Sequence, residues 1–321
     1  MARMPLWAVL CAGLGLAGCS AGDYVGGVDS FSKAVGATHD AEQTLSTAAQ
    51  QAQLNEWTQQ ALQADPTEIS VDFAKCLPPA AKRPAGTCAV TWKGVPAPTT
   101  PDPSSMTSLV KYAALLAAVP ADKTCATLHS DAQELAASIG DLAKDARATE
   151  RASEAGPISV IASSAGCFFV QQAQLAILRT ATASANPIVQ KLVPVIEDKD
   201  NRLYRIVMQD NLNQLQQAAL AYNRARSPAD LARMVTLAGA LNKAQANPPG
   251  PAIANIATLH QSLTDDLASP SVNLRRVEAD AQALTAQASA VAAALRQLRE
   301  ANLPPVSTKP ATGMAKKSAA S

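Results

Sequence analysis

Aromatic residues, histidine and net charge are all scarce in this sequence. Only 3% of its 321 residues are aromatic and three are histidine, while 27 basic residues are balanced by 26 acidic ones, giving a formal net charge of +1. This balance provides no global basic field of the kind that nucleic-acid-binding proteins carry, so no nucleic-acid partner is predicted. Hydrophobic residues make up 48% of the chain, many of them alanine, which favours closely packed helices with thin cores.

The motifs of common catalytic and metal sites are also missing. The chain has no nucleophile elbow, P-loop, kinase motif or H-E-x-x-H motif, and no C-x-x-C pair. His129, Ser130 and Asp131 are the residue types of a hydrolase triad, but consecutive residues of a helix point in different directions. We therefore predict no catalytic residue, cofactor or metal, and an enzyme is the less favoured class.

The chain contains no hydrophobic run long enough to cross a membrane. The longest uncharged apolar run near the N-terminus, from Pro5 to Gly18, has about 14 residues and follows Arg3, whereas a spanning helix needs roughly 20. A short basic segment followed by such a run is typical of a signal peptide. The run ends in Leu16-Ala17-Gly18-Cys19, which resembles the lipobox of bacterial lipoproteins.

That resemblance implies a membrane anchor. The thiol of Cys19 would receive a diacylglyceryl group, cleavage would follow Gly18, and acyl chains on Cys19 would hold the protein on a membrane. Ser20 stands where an Asp would favour retention in the inner membrane, so the resemblance implies the outer membrane, facing the periplasm. The alternative is an ordinary secretory signal that leaves Cys19 as a normal thiol.

Six cysteines are present, and export accounts for two of them. Cys11 lies in the predicted signal peptide, and Cys19 is the predicted lipidation site. An even number then remains for an oxidising compartment, which predicts two disulfides. The four candidates are Cys76, Cys88, Cys125 and Cys167.

A β-hairpin is predicted at about residues 68–93. Apolar residues alternate with polar ones on both sides of a proline-rich stretch that runs from Leu77 to Thr87. The hairpin would be closed by a Cys76–Cys88 disulfide, leaving Cys125 and Cys167 to form the second. A zinc site is the alternative for four cysteines, but their long and irregular spacing disfavours it.

Helical patterns dominate the rest of the chain, which we divide into four parts. These are a signal peptide (1–18), a flexible tether (19–28), a helical periplasmic body (29–303) and a disordered basic tail (304–321). The predicted helices span about 29–64, 109–119, 122–154 and 168–185. Further helices are predicted to begin at Pro187, after Ser227, after the proline-rich segment 247–251 and after Ser269.

The last predicted helix has the most regular apolar pattern in the chain. Its apolar residues are spaced by three and four over about four heptads, as in a coiled coil. The stripe comprises Leu274, Val277, Ala281, Leu284, Ala288, Val291, Leu295 and Leu298. Its partner is predicted to be the long first helix of the same chain, and the alternative is a homo-oligomer.

Three groups of polar residues are candidate sites. His260 lies on an apolar stripe, which favours a hydrogen-bonded core histidine over a ligand-binding one. Glu134, Asp141 and Asp145 share a helical face and are interpreted as a solvated surface. A set of arginines at 202, 205, 224, 226 and 233 is interpreted as pairing with Glu197, Asp198, Asp200 and Asp210.

The sequence thus predicts an all-α, multi-helix bundle with a small disulfide-closed β-hairpin insertion. The predicted function is that of a lipid-anchored, non-catalytic protein of the cell envelope that works through protein–protein interaction, as an adaptor, scaffold or inhibitor. The alternatives are a periplasmic enzyme acting on the cell wall and a helical lipoprotein that binds a small ligand.

Overall fold

The predicted helical packing is confirmed. The structure is a computed structural model that describes residues 22–63, 69–71, 90–92, 104–121, 124–147 and 170–302. A 3₁₀ turn at Val119–Ala121 follows the second helix. The helices are α1 (Gly22–Ala61), α2 (Ser104–Ala118), α3 (Cys125–Asp145), α4 (Val170–Ala225), α5 (Pro228–Ala246), α6 (Pro249–Ala268) and α7 (Arg275–Asn302).

Two short strands, β1 (Ile69–Val71) and β2 (Val90–Trp92), pair in antiparallel fashion, with Ile69 opposite Trp92. The connection between them, residues 72–89, lies outside the described residues and contains Cys76 and Cys88. The disulfide that would close a hairpin here therefore stays a prediction.

The three longest helices run parallel to one another. Near its start, α1 contacts α4 through the Tyr24 hydroxyl, which donates to Gln174 Oε1 at 3.1 Å; near its end, Asn55 donates to Asp210 of α4 at 3.1 Å. Helix α7 follows the same direction, since Leu274, the residue just before it, abuts Gly27, and its last residue donates a hydrogen bond to Asn211. We call the end near Tyr24 proximal and the end near Asn55 distal.

Helices α5 and α6 return antiparallel along α4. Tyr204 donates to the carbonyl of Ala244 in α5 at 2.8 Å, and Gln190 donates to that of Ala257 in α6 at 2.8 Å. Closer to the proximal end, the Arg179 side chain donates to the carbonyls of Leu267 and Ser269 at the end of α6. Helices α2 and α3 pack only in the proximal half, around the start of α1 and α4.

The bundle has two apolar cores, one in each half. In α1 the proximal core ends at Val35 and the distal core begins at Ala41; in α4 the same change occurs between Ile196 and Leu203. The break between α5 and α6 falls at the same level, because α5 contributes only to the distal core and α6 only to the proximal one. A layer of polar residues separates the two cores.

Helix α1 begins seven residues earlier than predicted. Residues 22–28, expected in the flexible tether, form its first two turns. Tyr24 and Val28 are buried in the proximal core, so burial, which local sequence did not reveal, extends the helix.

Helix α4 is continuous where the sequence predicted a break. Pro187 and Pro194 both lie inside it. A proline removes one backbone hydrogen bond and crowds the carbonyl four residues earlier, which here belongs to Ala183 and Gln190. Both of these residues are exposed, so the freed carbonyls face water while the opposite side of the helix stays packed.

The start of α5 agrees with the sequence prediction, whereas the start of α7 differs from it. Ser227 caps α5 as predicted, its hydroxyl accepting from the backbone amide of Ala229 at 3.2 Å. Helix α7 was expected to start after Ser269 but starts at Arg275, whose backbone amide donates to Asn273 Oδ1 at 3.2 Å. The intervening Val272 and Leu274 are buried.

The regular apolar stripe of α7 is covered within the chain. All eight of its members are buried, and α7 makes its most extensive contacts with α1. The favoured partner, the first helix of the same chain, is therefore the observed one. Self-association stays a prediction and would need another surface.

Candidate protein-docking site

His260 is a core histidine in a complete hydrogen-bond network. Its Nε2 lies 2.9 Å from the Tyr112 hydroxyl and its Nδ1 lies 3.1 Å from Asn186 Oδ1. The ring also makes an edge contact with Phe31, at a centroid distance of 5.6 Å. Complete burial lowers the pKa of His260 to about 3, because the charged form would lose its hydration. The residue is neutral and structural, as its stripe indicated.

The polar layer between the two cores contains a buried carboxylate with two partners. Glu42, only 3% exposed, accepts a hydrogen bond from Lys199 Nζ at 3.2 Å through Oε1. Its other oxygen, Oε2, lies 3.2 Å from His39 Nδ1. This arrangement ties α1 to α4 at the middle of the bundle.

Asp200 lies in the same layer and is fully buried. Neither of its carboxylate oxygens has a hydrogen-bond partner among the described residues. Burial, reinforced by the negative charge of Glu42 and opposed by Lys199, raises its pKa to about 7. The predicted ion pairing of Asp200 with an arginine is thus wrong.

A groove occupies the distal end of the bundle, where α7 stops and the other long helices continue. Its walls are the last turns of α1, residues 205–220 of α4 and the end of α7, with Arg233 contributed by α5. Its volume is about 1040 Å³, and buried apolar residues such as Ala52, Val207 and Leu298 form part of its lining. Asp200 and His260 do not line it.

Side-chain amides dominate the groove. Eleven of its 24 lining residues are Asn or Gln, and because an amide both donates and accepts, such a lining suits the alternating groups of a peptide backbone. Two buried atoms in it lack a hydrogen-bond partner in the described part of the chain: the donor Arg233 Nε and the acceptor Asn302 Oδ1. Buried polar atoms without a hydrogen-bond partner are uncommon in the interiors of folded proteins.

Most of the candidate arginines lack the ion pairs that the sequence suggested. Arg202 pairs with Asp198 at 2.5 Å. Within the part of the chain that the structure describes, no carboxylate pairs with the arginines that we call the distal arginines: Arg205, Arg224, Arg226, Arg233 and, from α7, Arg299. The expected pairing with Glu197, Asp200 and Asp210 is therefore wrong for this set. Asp210 lines the same groove as Arg205 and Arg233 but forms no ion pair with either.

Large exposed apolar side chains also concentrate at the distal end. Leu220, Leu231 and Val235 are 50%, 39% and 62% exposed. Leu231 and Val235 lie one turn apart on α5, and Leu220 lines the groove. Together with Leu62 and Leu212, these residues account for five of the seven such side chains among the described residues. They come from three different parts of the chain, and only Leu220 among them lines the groove.

The predicted anchor and disulfides lie largely outside the described residues. Cys19, Cys76, Cys88 and Cys167 all fall there, and Cys125 is described only through its backbone at the start of α3. Their lipidation and pairing stay predictions. Asp141 pairs with Lys144 at 3.0 Å on an exposed face, and His129 bonds to Gln133, so neither takes part in the groove.

Sequence reasoning missed the groove, although one signal was present. Residues 209–217 are unusually rich in amides, with the sequence QDNLNQLQQ, and the end of α1 is similar. The pattern alone does not say that the two segments face each other. Helix packing brings them together, which no local feature of either segment reveals.

Among the described helices, none has the length and apolar character needed to cross a membrane. The same residues include no cluster of three or more His, Cys, Asp or Glu side chains suited to a metal ion. Comparisons with protein-family models, curated proteins and solved structures find no match to this chain.

Proposed function

We propose that this protein is a lipid-anchored, non-catalytic component of the bacterial cell envelope that binds another protein through its distal end. The lipobox-like segment ending at Cys19 supports the anchor and, with Ser20, the outer membrane facing the periplasm. The four remaining cysteines would form the Cys76–Cys88 and Cys125–Cys167 disulfides in that compartment.

The observation that carries the proposal is the position of the groove, which lies far from the N-terminal end of α1. Helix α1 begins at Gly22, three residues after Cys19 in the sequence, and its part of the groove lining starts at Ala48. At 1.5 Å per residue, the intervening helix is about 39 Å long. The bundle would therefore act as a spacer that presents its groove and exposed apolar residues away from the lipid.

The same geometry disfavours the other two classes of function. An enzyme would be expected to place a perturbed acid or histidine in a cleft together with a second catalytic group. Burial raises the pKa of Asp210, which lines the groove, but its Oδ2 accepts hydrogen bonds from Asn55 and Gln214, and the perturbed Asp200 and His260 do not line the groove. A binder of small apolar ligands would be expected to have an enclosed apolar pocket, whereas this groove is lined largely by amides.

The anchor is tested by metabolic labelling of the full-length protein with a clickable fatty acid in its native host. Wild-type protein should be labelled and recovered with membranes, and Cys19→Ser should lose the label and enter the soluble fraction. Equal labelling of both proteins would contradict the assigned anchor.

The distal contact is tested in the same cells by photo-crosslinking. A photoreactive phenylalanine analogue in place of Gln216, which lines the groove, should give a specific adduct with another protein. The control is the same analogue in place of Gln282, an exposed residue in the proximal half of α7. Adducts at both positions, or at neither, would contradict a distal binding site.

A further inference from the structure

Helix α7 ends within the groove. Its last two turns, from Leu295 to Asn302, contribute to the lining, and Asn302 donates a hydrogen bond to Asn211 of α4. The lining continues along α4 from Asn211 to Leu220, past the level at which α7 stops. The chain that follows Asn302 therefore starts inside the groove.

Past the end of α7, helices α1 and α4 continue without it beside them. They are level with each other where Asn55 donates to Asp210, and both extend further in the distal direction. From Asn211 to Leu220, α4 advances by about 14 Å at 1.5 Å per residue. Leu220, at the far end of this stretch, is 50% exposed. A segment that covers the stretch needs a comparable length.

The sequence that follows α7 has a suitable length and composition. It reads Leu-Pro-Pro-Val-Ser-Thr over positions 303–308 and carries no charge before Lys309. Consecutive prolines favour the polyproline conformation, in which six residues span about 19 Å at 3.1 Å per residue. The uncharged stretch is therefore long enough to reach Leu220. It also suits a lining that contains acids, such as Glu56 and Asp210, as well as arginines.

The hydrogen-bonding groups of the groove suit a proline-rich backbone. Proline has a carbonyl oxygen but no N–H, so the segment presents more acceptors than donors. Arg233 Nε is a buried donor without a partner in the described chain, and the exposed amides of Gln216 and Gln217 also line the groove and can donate. The donor that Asn302 Oδ1 requires can come from a later N–H, such as that of Val306.

We infer that residues 303–308 occupy the groove of their own chain, with Leu303 and Val306 packing against its apolar lining. Direct attachment to α7 favours this occupant over a second copy, because a short tether gives an effective concentration on the order of millimolar. The predicted disorder of the tail would then apply only beyond this segment. The inference goes beyond the proposed function, since a protein that docks in the groove must displace the segment first.

The test is photo-crosslinking of the full-length protein purified in detergent, with the photoreactive phenylalanine analogue in place of Gln216. Mass spectrometry of the digested protein should find an intramolecular adduct with residues 303–308. The same analogue in place of Gln282, in the proximal half of α7, should not react with this segment.

Two double variants assign the adduct to the segment. L303D/V306D should lower its yield by about tenfold or more, because charged groups replace two apolar contacts. A315D/A319D adds the same charges further along the chain and should leave the yield unchanged. A fluorescent peptide with the sequence LPPVSTKP should bind L303D/V306D, whose groove is open, and not A315D/A319D. If L303D/V306D is less helical than wild type by circular dichroism, V306D alone takes its place.

Several results would overturn the inference: no adduct from Gln216, an adduct with residues 64–68 or with a second copy of the chain, or equal yields from the two variants. An adduct with residues 303–308 in the purified protein, combined with no partner adduct in cells even for L303D/V306D, would reject the proposed function and leave this inference standing. A partner adduct in cells without an intramolecular adduct in the purified protein would do the reverse.

Discussion

Asp200 and His260 are buried ionisable residues whose pKa values shift in opposite senses on folding. Asp200 rises from 3.8 to about 7, so between these values the folded state binds a proton that the unfolded state has released. His260 falls from 6.5 to about 3, so between these values the folded state lacks a proton that the unfolded state binds. As the pH rises, Asp200 lowers the free energy of unfolding and His260 raises it, and from about pH 4 to 6.5 the two effects oppose each other.

Replacing Asp200 with asparagine should leave His260 as the main buried group that makes the free energy of unfolding depend on pH. D200N removes a group whose stabilising proton is fully bound below pH 3.8 and is lost as the pH rises through about 7. Relative to wild type, its free energy of unfolding should rise with pH between 4 and 7, by up to about 1.4 kcal/mol per pH unit. Urea denaturation at several pH values measures the difference. D198N, at an exposed ion pair, is the control, and parallel curves for D200N and wild type would refute the assignment.

Replacing His260 should have the opposite effect on the pH profile. H260Q removes a group whose neutral form contributes stability above pH 6.5, a contribution lost as the pH falls towards 3. Its free energy of unfolding relative to wild type should therefore decrease with rising pH between about 4 and 6.5. At neutral pH it should also be lower by about 1–3 kcal/mol, since Tyr112 or Asn186 loses its partner. The same titration of H129Q, a partly exposed histidine, should follow wild type.

Sequence reasoning predicted one of these residues and misread the other. His260 recurs with Ile253, Ile256 and Leu263 on a single stripe, so its burial follows from periodicity. Asp200 is followed by Asn201 and Arg202 and preceded by Lys199, which is typical of a solvated segment. Its burial depends on the level at which α1 meets α4, and local sequence does not contain that information.

At the scale of elements, the contact between α1 and α7 depends on a close approach at Gly27. A Cβ atom added there would lie 2.8 Å from the Cδ1 of Leu274 and closer still to its Cβ, so one helix would have to move. Gly36, further along α1, has no atom within 4 Å of such a Cβ. Gly27 therefore has no room for a side chain, whereas Gly36 has.

These two glycines provide a matched pair of substitutions. G27A should lower the free energy of unfolding by about 1–3 kcal/mol, because overpacking outweighs the gain in helix propensity. G36A should raise it by up to about 1 kcal/mol, because alanine favours the helical state without a clash. Thermal or urea denaturation of both variants measures the effects. Stabilisation by both substitutions would show that α1 and α7 are not in contact at Gly27.

Periodicity predicted the helices better than it predicted their ends. The buried faces of α6 and α7 match the predicted stripes, because each stripe is regular and unbroken. The ends were misplaced where a local rule competed with burial: proline at 187 was taken as a helix start, and Ser269-Pro270 as the start of α7. Tertiary packing overrides such signals when both neighbouring segments lie against the core.

At the scale of the whole molecule, the polar layer divides one bundle into two halves that are surrounded by different helices. The proximal half has extra cover from α2 and α3 and adjoins the predicted anchor. The distal half has fewer helices around it and carries the groove, the distal arginines and most of the exposed apolar side chains. The continuous helices α1, α4 and α7 join the halves, so a rigid support carries the proposed docking end.

The pairing of α1 with α7 brings together the first and last helices of the described chain, separated by more than 200 residues in sequence. Contacts of such long sequence separation form slowly, because a large loop must close before they stabilise the fold. A chain emerging N-terminus first would keep the apolar side of α1 uncovered until α7 had followed it. Completion of the core thus waits until α7 has been made, and a chaperone that shields α1 would be most useful until then.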